Sequence, residues 1–289
     1  MQTPASSSSN GRFGFVELLA KELNRGKPEV PGFPDVVMRV RRALDDPNAN
    51  VDSITKIISA EPVLTARILR IANSAALRPA TGQIKDPRNA VARMGFTLVQ
   101  SATVAFAAEQ MRIANRYAAA KELFAAVWDR SIHVAAIAYV IAKRCSRLNP
   151  DEALLTGLMH SIGKIYIIAR AEEHPDLFED RAELDAILAD WYVATGEAIL
   201  QGWEFPEEVV TAVGAQLDPE REIGGSAHLA DVLLVALPIP SAAGEEAALS
   251  AVLAQTQAQL RLGLTLEKCQ ALLAEADEQI RELRSALGG

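Results

Sequence analysis

The sequence predicts an all-α fold, and two observations carry that prediction. Hydrophobic residues make up 49% of the 289 residues but aromatic residues only 5%, so Ala, Leu, Val and Ile supply most of the apolar surface. That composition favours helices packed on helices over a β-sandwich. Apolar residues also recur at the i, i+3, i+4 spacing of amphipathic helices along most of the chain, whereas no segment shows the alternation typical of a strand.

Turn and cap residues place the helices of the first 116 residues, after a tail over residues 1–12 that we expect to be disordered. Asn50 suits an N-cap, and Pro34 and Pro62 each suit the first helical position. Gly95 is expected to end a short helix. The predicted helices cover about 13–23, 34–44, 51–60, 62–72, 90–94 and 97–111, with a loop over 78–86.

Longer apolar helices are predicted in residues 117–289. Asn149-Pro150 ends one of them, Ser161–Lys164 interrupts the chain, and Pro238–Gly244 is the clearest linker. The last helix carries one apolar stripe, which packs either on this chain or on a second copy. The predicted helices cover about 121–147, 154–160, a segment after Lys164, 177–203 with an interruption near Tyr192, 206–216, 223–237, 247–262 and 266–287.

The charge pattern argues against some classes of function. The chain has 29 Lys and Arg against 37 Asp and Glu, a formal net charge of −8, which argues against a protein that mainly coats nucleic acid. Residues 1–116 carry a net charge of +6 and residues 117–289 a net charge of −14. The two halves are either oppositely biased solvated surfaces or an arrangement that steers a partner protein or a twin subunit.

Localisation follows from what the sequence lacks. No uncharged apolar run reaches the roughly 20 residues that cross a bilayer, and the first residues are polar and Ser-rich. The two cysteines, Cys145 and Cys269, are too few for a disulfide framework. We therefore expect a soluble cytoplasmic protein with no membrane or nucleic-acid partner.

Five short motifs occur in order between residues 28 and 237. They are Pro31-Gly32-Phe33-Pro34 with Asp46-Pro47, Glu61-Pro62 and Ile71-Ala72-Asn73-Ser74-Ala75; Ala90-Val91-Ala92-Arg93-Met94-Gly95; Trp128 and Ser131 with Gly157-Leu158-Met159-His160-Ser161-Ile162-Gly163-Lys164; Gly202-Trp203-Glu204-Phe205-Pro206; and Ala227-His228-Leu229-Ala230-Asp231. Together they resemble the HDOD family, a non-catalytic branch of the HD phosphohydrolase superfamily. The resemblance implies a multi-helix bundle and a bacterial regulator associated with signalling.

The same resemblance suggests a division of the chain. Residues 1–27 would be the tail and a short helix, and residues 28–237 the HDOD domain, with an N-terminal helical half over 28–116 and a degenerate HD-like half over 117–237. Residues 238–245 would be a linker, and residues 246–289 a C-terminal helical extension of amphipathic helices.

The HD superfamily holds one or two divalent metals with His and Asp ligands, and the metal activates a water for phosphate hydrolysis. The corresponding positions here are Arg130, His160, Ser161, Tyr192, Gln216 and Asp231. Only His160 and Asp231 keep a ligand residue type, and a guanidinium at Arg130 would repel a cation. The resemblance therefore implies no catalytic residue, no metal and no cofactor. His228 and Asp231 lie three residues apart, which fits either a local hydrogen bond or a remnant metal pair.

Basic residues offer a different kind of site. Arg67, Arg70, Arg78, Arg88 and Arg93 crowd the loop-rich part of the basic half. They are either a solvated face or a fork-like site for phosphate groups. Lys164 follows Gly163 near a helix start and could also attract an anion.

Three functions follow from these residues. The first is a non-catalytic scaffold that docks other signalling proteins, with a homodimer through the C-terminal helices as an option. The second is a nucleotide sensor, for example of a cyclic dinucleotide, that uses the basic residues. The third is a metal-dependent phosphodiesterase with atypical ligands, which would need another carboxylate to replace Ser161.

Overall fold

Every regular element is a helix in the part of the chain that the computed structural model describes, which is residues 8–24, 30, 34–74, 83–114, 118–218, 225–242, 250–251, 253–254 and 257–287. The all-α prediction is confirmed. In chain order the helices are α1 (Ser8–Asn24), α2 (Asp35–Asp45), α3 (Val51–Ser59), α4 (Pro62–Ala72), α5 (Pro87–Ala114), α6 (Ala118–Cys145), α7 (Pro150–Met159), α8 (Ile162–Ala171), α9 (Asp176–Glu179), α10 (Arg181–Gly202), α11 (Glu207–Gly214), α12 (Leu229–Ala236), α13 (Ile239–Ala242), α14 (Ala258–Arg261) and α15 (Leu266–Leu287).

Local cap chemistry sets the helices of the N-terminal half. Asn50 accepts a hydrogen bond from the Ser53 backbone N–H at 2.9 Å, and the Ser53 hydroxyl accepts one from the Asn50 backbone N–H at 3.2 Å. This reciprocal capping box starts α3, and Pro62 starts α4 as predicted. Gly95 has φ 74° and ψ 167°, so it divides α5 at a sharp kink that other residues would adopt only with strain.

The first helix differs from its prediction because it is longer. It begins at Ser8, inside the segment that we predict as a disordered tail, while residues 1–7 lie outside the described residues. Phe15 and Leu19 are fully buried, and α1 packs on α9 and α10 of the second half. Glu22 of α1 forms an ion pair with Arg170 at 2.9 Å. The N-terminal helix therefore packs on the second half of the chain.

The centre of the fold is built from α5, α6 and α7. Gly157 of α7 lies so close to Ala135 of α6 that an added Cβ atom would clash with the Ala135 backbone. By length and composition, α5 and α6 also resemble membrane-spanning helices, but 67% of each apolar window is buried inside the fold. They are therefore explained as core helices, and the cytoplasmic location stays a prediction.

Two predicted boundaries in the second half are wrong. The interruption expected near Tyr192 lies instead at Asp180, which separates α9 from α10 and caps α10 by accepting a hydrogen bond from the Glu183 N–H. Tyr192 sits within the unbroken α10. The helix expected from residue 223 begins at Leu229, and its N-cap is His228.

The C-terminal helix folds back on its own chain. Its apolar stripe is buried where α15 packs on α4, α5 and α6; the stripe consists of Cys269, Leu272, Ala276, Ile280, Leu283 and Leu287. Flanking ion pairs join Arg284 to Asp129 and Arg144 to Glu275, each at 2.8 Å. A homodimer through this region stays a prediction, and it would have to use the outward face of α15.

The segment predicted as a linker also contains structure. Residues Ile239–Ala242 form a helical turn, and Ile239 is buried against the core. Residues 243–249, where the linker continues and the next predicted helix begins, lie outside the described residues.

Candidate functional site

The turn between α7 and α8 consists of His160 and Ser161, and both residues are 2% exposed. The His160 Nδ1–H donates to the Gly157 carbonyl oxygen at 2.6 Å, and the Ser161 hydroxyl donates to His160 Nε2 at 2.7 Å. Because Nδ1 carries the proton, Nε2 is the ring nitrogen with a free lone pair, and Ser161 occupies it. The pKa of His160 is lowered to about 4, chiefly by burial; the Gly157 hydrogen bond opposes this shift, and the charges of Lys164 and Arg130 add to it.

Gln216 supports this turn from the end of α11. Its Nε2 donates to the His160 carbonyl oxygen at 3.0 Å and to the Val213 carbonyl oxygen at 2.9 Å. Its Oε1 is buried and has no hydrogen-bond partner within the described part of the chain. Sequence reasoning reads Gln216 only as a lost histidine, whereas the structure gives it a role in fixing the backbone of the turn.

Two cations lie beside the turn. Lys164 Nζ is 4.3 Å from the centroid of the Tyr192 ring, a cation–π contact between α8 and α10. Burial lowers the pKa of Lys164, and the charge of Arg130 lowers it further while Asp185 opposes the shift. Arg130 itself donates from Nη2 to the Leu237 carbonyl oxygen at 2.8 Å. The sequence-predicted positions 130, 160, 161, 164 and 192 therefore form one cluster, and its net charge is positive.

Asp231 is buried in the first turn of α12, with 1% of its side chain exposed. Arg261 holds it with Nε 3.0 Å from both carboxylate oxygens and Nη2 2.5 Å from Oδ1. The His228 backbone N–H also donates to Oδ2 at 2.9 Å. Between His228 and Asp231 the structure therefore shows a local hydrogen bond through the backbone, and the His228 residue is exposed.

Arg261 is the residue that sequence reasoning missed. It lies 30 residues after Asp231, in α14 of the C-terminal extension, and no local spacing connects the two. The only available signal was that a buried carboxylate needs a partner of opposite charge.

These residues do not fit a divalent metal. Among the described residues no group of three or more His, Cys, Asp and Glu side chains could hold a metal ion. The His160 lone pair faces a hydroxyl, both Asp231 oxygens are bound, and the neighbouring charges of Arg130 and Lys164 are repulsive to a cation. The chemistry of the donor set therefore opposes metal-activated hydrolysis at this position.

The arginines of the N-terminal half are dispersed among other partners. Arg88 is exposed and pairs with Asp52 at 2.6 Å, and Arg70 donates to the Ala286 carbonyl oxygen at 3.1 Å. Arg67 is half-buried, and burial together with Arg70 lowers its pKa. Arg93 is exposed on α5, and Arg78 lies outside the described residues. The charges of Arg67 and Arg70 interact, and an anion site at these two residues stays a prediction.

A family model described as the HDOD domain matches residues 30–219. An uncharacterized protein of Treponema pallidum (strain Nichols) is 25% identical over an alignment of 199 positions, and the match covers 64% of this chain and 37% of that protein. The matched region thus spans little more than a third of that relative.

Solved structures share the fold over almost the whole chain. A candidate metal-dependent phosphohydrolase from Shewanella amazonensis SB2B has a TM-score of 0.76 and 27% identity, and the match covers 96% of this chain and 99% of that one. An HDOD domain protein with unknown function from Geobacter sulfurreducens has a TM-score of 0.65 and 24% identity, over 94% and 98%. A candidate signal transduction protein from Marinobacter aquaeolei VT8 has a TM-score of 0.60 and 18% identity, over 96% and 67%. The last two likenesses concern the fold alone.

Proposed function

Since the chain belongs to the HDOD family, we propose that it is a non-catalytic regulatory protein of bacterial signalling that binds partner proteins through its helical domain. The observation that carries the non-catalytic part is the pairing of Asp231 with Arg261. In an HD-type hydrolase a divalent metal supplies the positive charge that a buried carboxylate of this kind requires. Here the protein's own guanidinium supplies that charge, so Asp231 has no unmet need for an ion.

The state of His160 supports the same proposal. A metal ligand must offer a ring nitrogen lone pair, and the Nε2 lone pair of His160 accepts the Ser161 hydroxyl proton. A general acid or base works best when its pKa is near the operating pH, whereas burial lowers the pKa of His160 to about 4. The ring is also 2% exposed, which leaves a substrate no direct contact with it.

The proposed role in binding partners is supported by the distribution of charge along the chain. The first 116 residues carry a net charge of +6, and the remaining residues a net charge of −14. Such an arrangement steers the encounter with an oppositely charged partner and makes that encounter sensitive to salt.

Metal analysis and a hydrolysis assay test the non-catalytic proposal. The full chain is incubated with Mn²⁺, dialysed, analysed for bound metal and assayed with bis(p-nitrophenyl) phosphate. We expect well below one metal ion per chain and no turnover above the buffer rate. Turnover that is lost on adding a chelator and returns with Mn²⁺ would contradict the proposal.

A metal-dependent phosphohydrolase is the second candidate function, because the Shewanella structure at 27% identity is a candidate enzyme of that class. The two candidates differ at Asp231. If the chain were such an enzyme, Asp231→Ala would abolish both metal binding and turnover, while the exposed Asp277→Ala would change neither. A turnover rate that is the same in both variants would instead come from a contaminating enzyme.

The partner is tested in two stages. Proteins captured from the native host by the tagged full chain are identified by mass spectrometry, and each is then purified and titrated against the full chain. We expect at least one of them to form a complex of fixed stoichiometry whose affinity falls as salt rises. If no purified protein forms such a complex, the scaffold proposal fails.

A further inference from the structure

A basic cleft lies on the acidic half of the molecule, next to the Ala227–Asp231 motif. Its volume is about 990 Å³, and it opens between the end of α6, the chain before α12 and the connection from α14 to α15. Four basic side chains line it: Arg144, Arg147, Arg261 and Lys268. None of the described residues that line this cleft is acidic.

The charges in this cleft are only partly neutralised. Arg261 is paired with Asp231, and Arg144 with Glu275. Arg147 and Lys268 form no ion pair within the part of the chain that the structure describes. Lys268 Nζ donates to the Gly263 carbonyl oxygen at 3.1 Å, and Arg147 is exposed. Two positive charges therefore face the cleft without a carboxylate partner.

Helix-end electrostatics do not account for this grouping. Cations are ordinary near the C-terminus of a helix, and that explains Arg144 in the last turn of α6. Arg261 and Lys268 come from a segment more than 100 residues further along the chain, so the fold brings them to the same place. The surrounding half carries a net charge of −14, which makes a local concentration of positive charge more unusual there.

The lining also fixes the chemistry of a ligand. Leu148, Leu262 and Ala227 form an apolar wall, and the volume lies at the upper end of the range typical of small-molecule sites. Arginine forks match the oxygens of a phosphate group. No aromatic side chain is among the described lining residues, so a base would find no ring to stack on. Charged phosphate groups would therefore dominate recognition.

We propose that this cleft binds a small molecule that carries at least two linked phosphate groups, one for Arg147 and one for Lys268. Arg261 joins the cleft to the buried Asp231, so a bound phosphate would lie beside the side chain that neutralises the degenerate HD centre. The site is separate from the arginines of the N-terminal half, and it does not depend on the proposed scaffold role.

Calorimetric titration of the full chain tests the site with two probes, inorganic pyrophosphate and ATP, each without divalent cation. We expect binding that Arg147→Glu and Lys268→Glu each weaken by about tenfold or more, the range of a lost charge-assisted hydrogen bond. The matched control is Arg281→Glu, which makes the same charge change on the exposed face of α15 outside the cleft. It should change the dissociation constant by less than about twofold, because exposed charges at a distance are screened. Lys268→Arg should retain binding.

Several results would overturn the proposal. They are the absence of binding by both probes at low salt, an equal loss of affinity in Arg281→Glu, and binding of a polyglutamate peptide without binding of either probe. Arg147 and Lys268 hold no ion pair among the described residues, so both variants are expected to fold, and circular dichroism checks this. Loss of this site would leave the titration against a purified partner protein unchanged.

Discussion

Replacing Arg261 by Met should destabilise the protein strongly, because it leaves Asp231 as an unpaired buried carboxylate. The Asp231 side chain is 1% exposed and the Arg261 side chain 15%, so solvent screens the pair only slightly. Removing one partner of a buried ion pair costs about 3–5 kcal/mol. The His228 N–H continues to stabilise the carboxylate, so we expect a loss near the lower limit, about 3 kcal/mol. With about 2.1 cal/mol/K of unfolding entropy per residue, that loss lowers Tm by about 5 °C.

A double-mutant cycle separates the pair from other effects. Urea unfolding followed by circular dichroism is measured for Arg261→Met, Asp231→Asn and the double variant. We expect the sum of the stability losses in the two single variants to exceed the loss in the double variant by about 2 kcal/mol or more. The reason is that the double variant buries no uncompensated charge. Arg281→Met breaks an exposed pair with Asp277 and should cost no more than about 0.5 kcal/mol. A loss below about 1 kcal/mol in Arg261→Met would refute the reasoning.

Three further predictions concern buried groups elsewhere in the chain. Burial lowers the pKa of His160 to about 4 in the folded protein, so the imidazole of the unfolded chain is protonated first as the pH falls. The neutral, buried His160 therefore contributes at most about 3 kcal/mol to stability. This contribution is complete above about pH 6.5 and is lost as the pH falls towards 4. NMR titration of the ring checks this, and a ring protonated at pH 6 would contradict it. Gly163→Ala forces a Cβ atom into a backbone carbonyl of α10 and should destabilise the protein by about 2 kcal/mol or more. The control Gly14→Ala places its Cβ atom in open space on α1 and should be neutral or stabilising by up to about 1 kcal/mol. Equal urea unfolding midpoints for the two variants would contradict the packing argument. Burial raises the pKa of Cys269 to about 11 and also raises the pKa of Cys145. A thiol reagent near pH 7 should therefore modify the half-buried Cys145 slowly and the buried Cys269 only in denaturant. Rapid modification of both cysteines in the native protein would contradict this prediction.

The sequence could predict helix starts where the signal is local. Asn50 and Pro62 act on the backbone within three or four residues of themselves, so their roles depend little on the rest of the fold. The same holds for the kink at Gly95, which follows from conformational freedom at one residue. The apolar stripe of α15 was also visible, because helical periodicity marks a buried face without naming the surface that buries it.

Predictions failed where the outcome depends on tertiary contacts. The sequence predicts an interruption near Tyr192, but Tyr192 lies in a continuous helix and its ring contacts Lys164. The break falls instead at Asp180, whose side chain caps α10. The first helix extends back to Ser8, although a Ser-rich segment predicts disorder.

The candidate site shows the same limit more sharply. The structure places His160, Ser161, Lys164, Tyr192 and Arg130 in one cluster, although the sequence predicts Lys164 only as part of a separate anion site. The pairing of Asp231 with Arg261 could not be predicted, since Arg261 lies 30 residues further along the chain, outside every motif that carries the resemblance. The motif residues alone provide Asp231 with no partner of opposite charge, so they do not distinguish a metal ion from a basic side chain as its partner.

The buried polar groups explain why a centre without its metal ligands can still be a rigid core. A buried polar group without a partner costs roughly 1–3 kcal/mol, and a buried charge more. In this chain His160 bonds to Gly157 and Ser161, and Asp231 bonds to Arg261 and His228. The positive charge that a metal ion would provide in a hydrolase is thus provided by the Arg261 guanidinium, which is covalently part of the chain. Because such a charge cannot dissociate, the core should stay folded under chelation, whereas a metal-dependent core would lose stability with its ion. An unfolding midpoint that drops on adding EDTA would therefore contradict the idea that Arg261 has taken over the role of the metal.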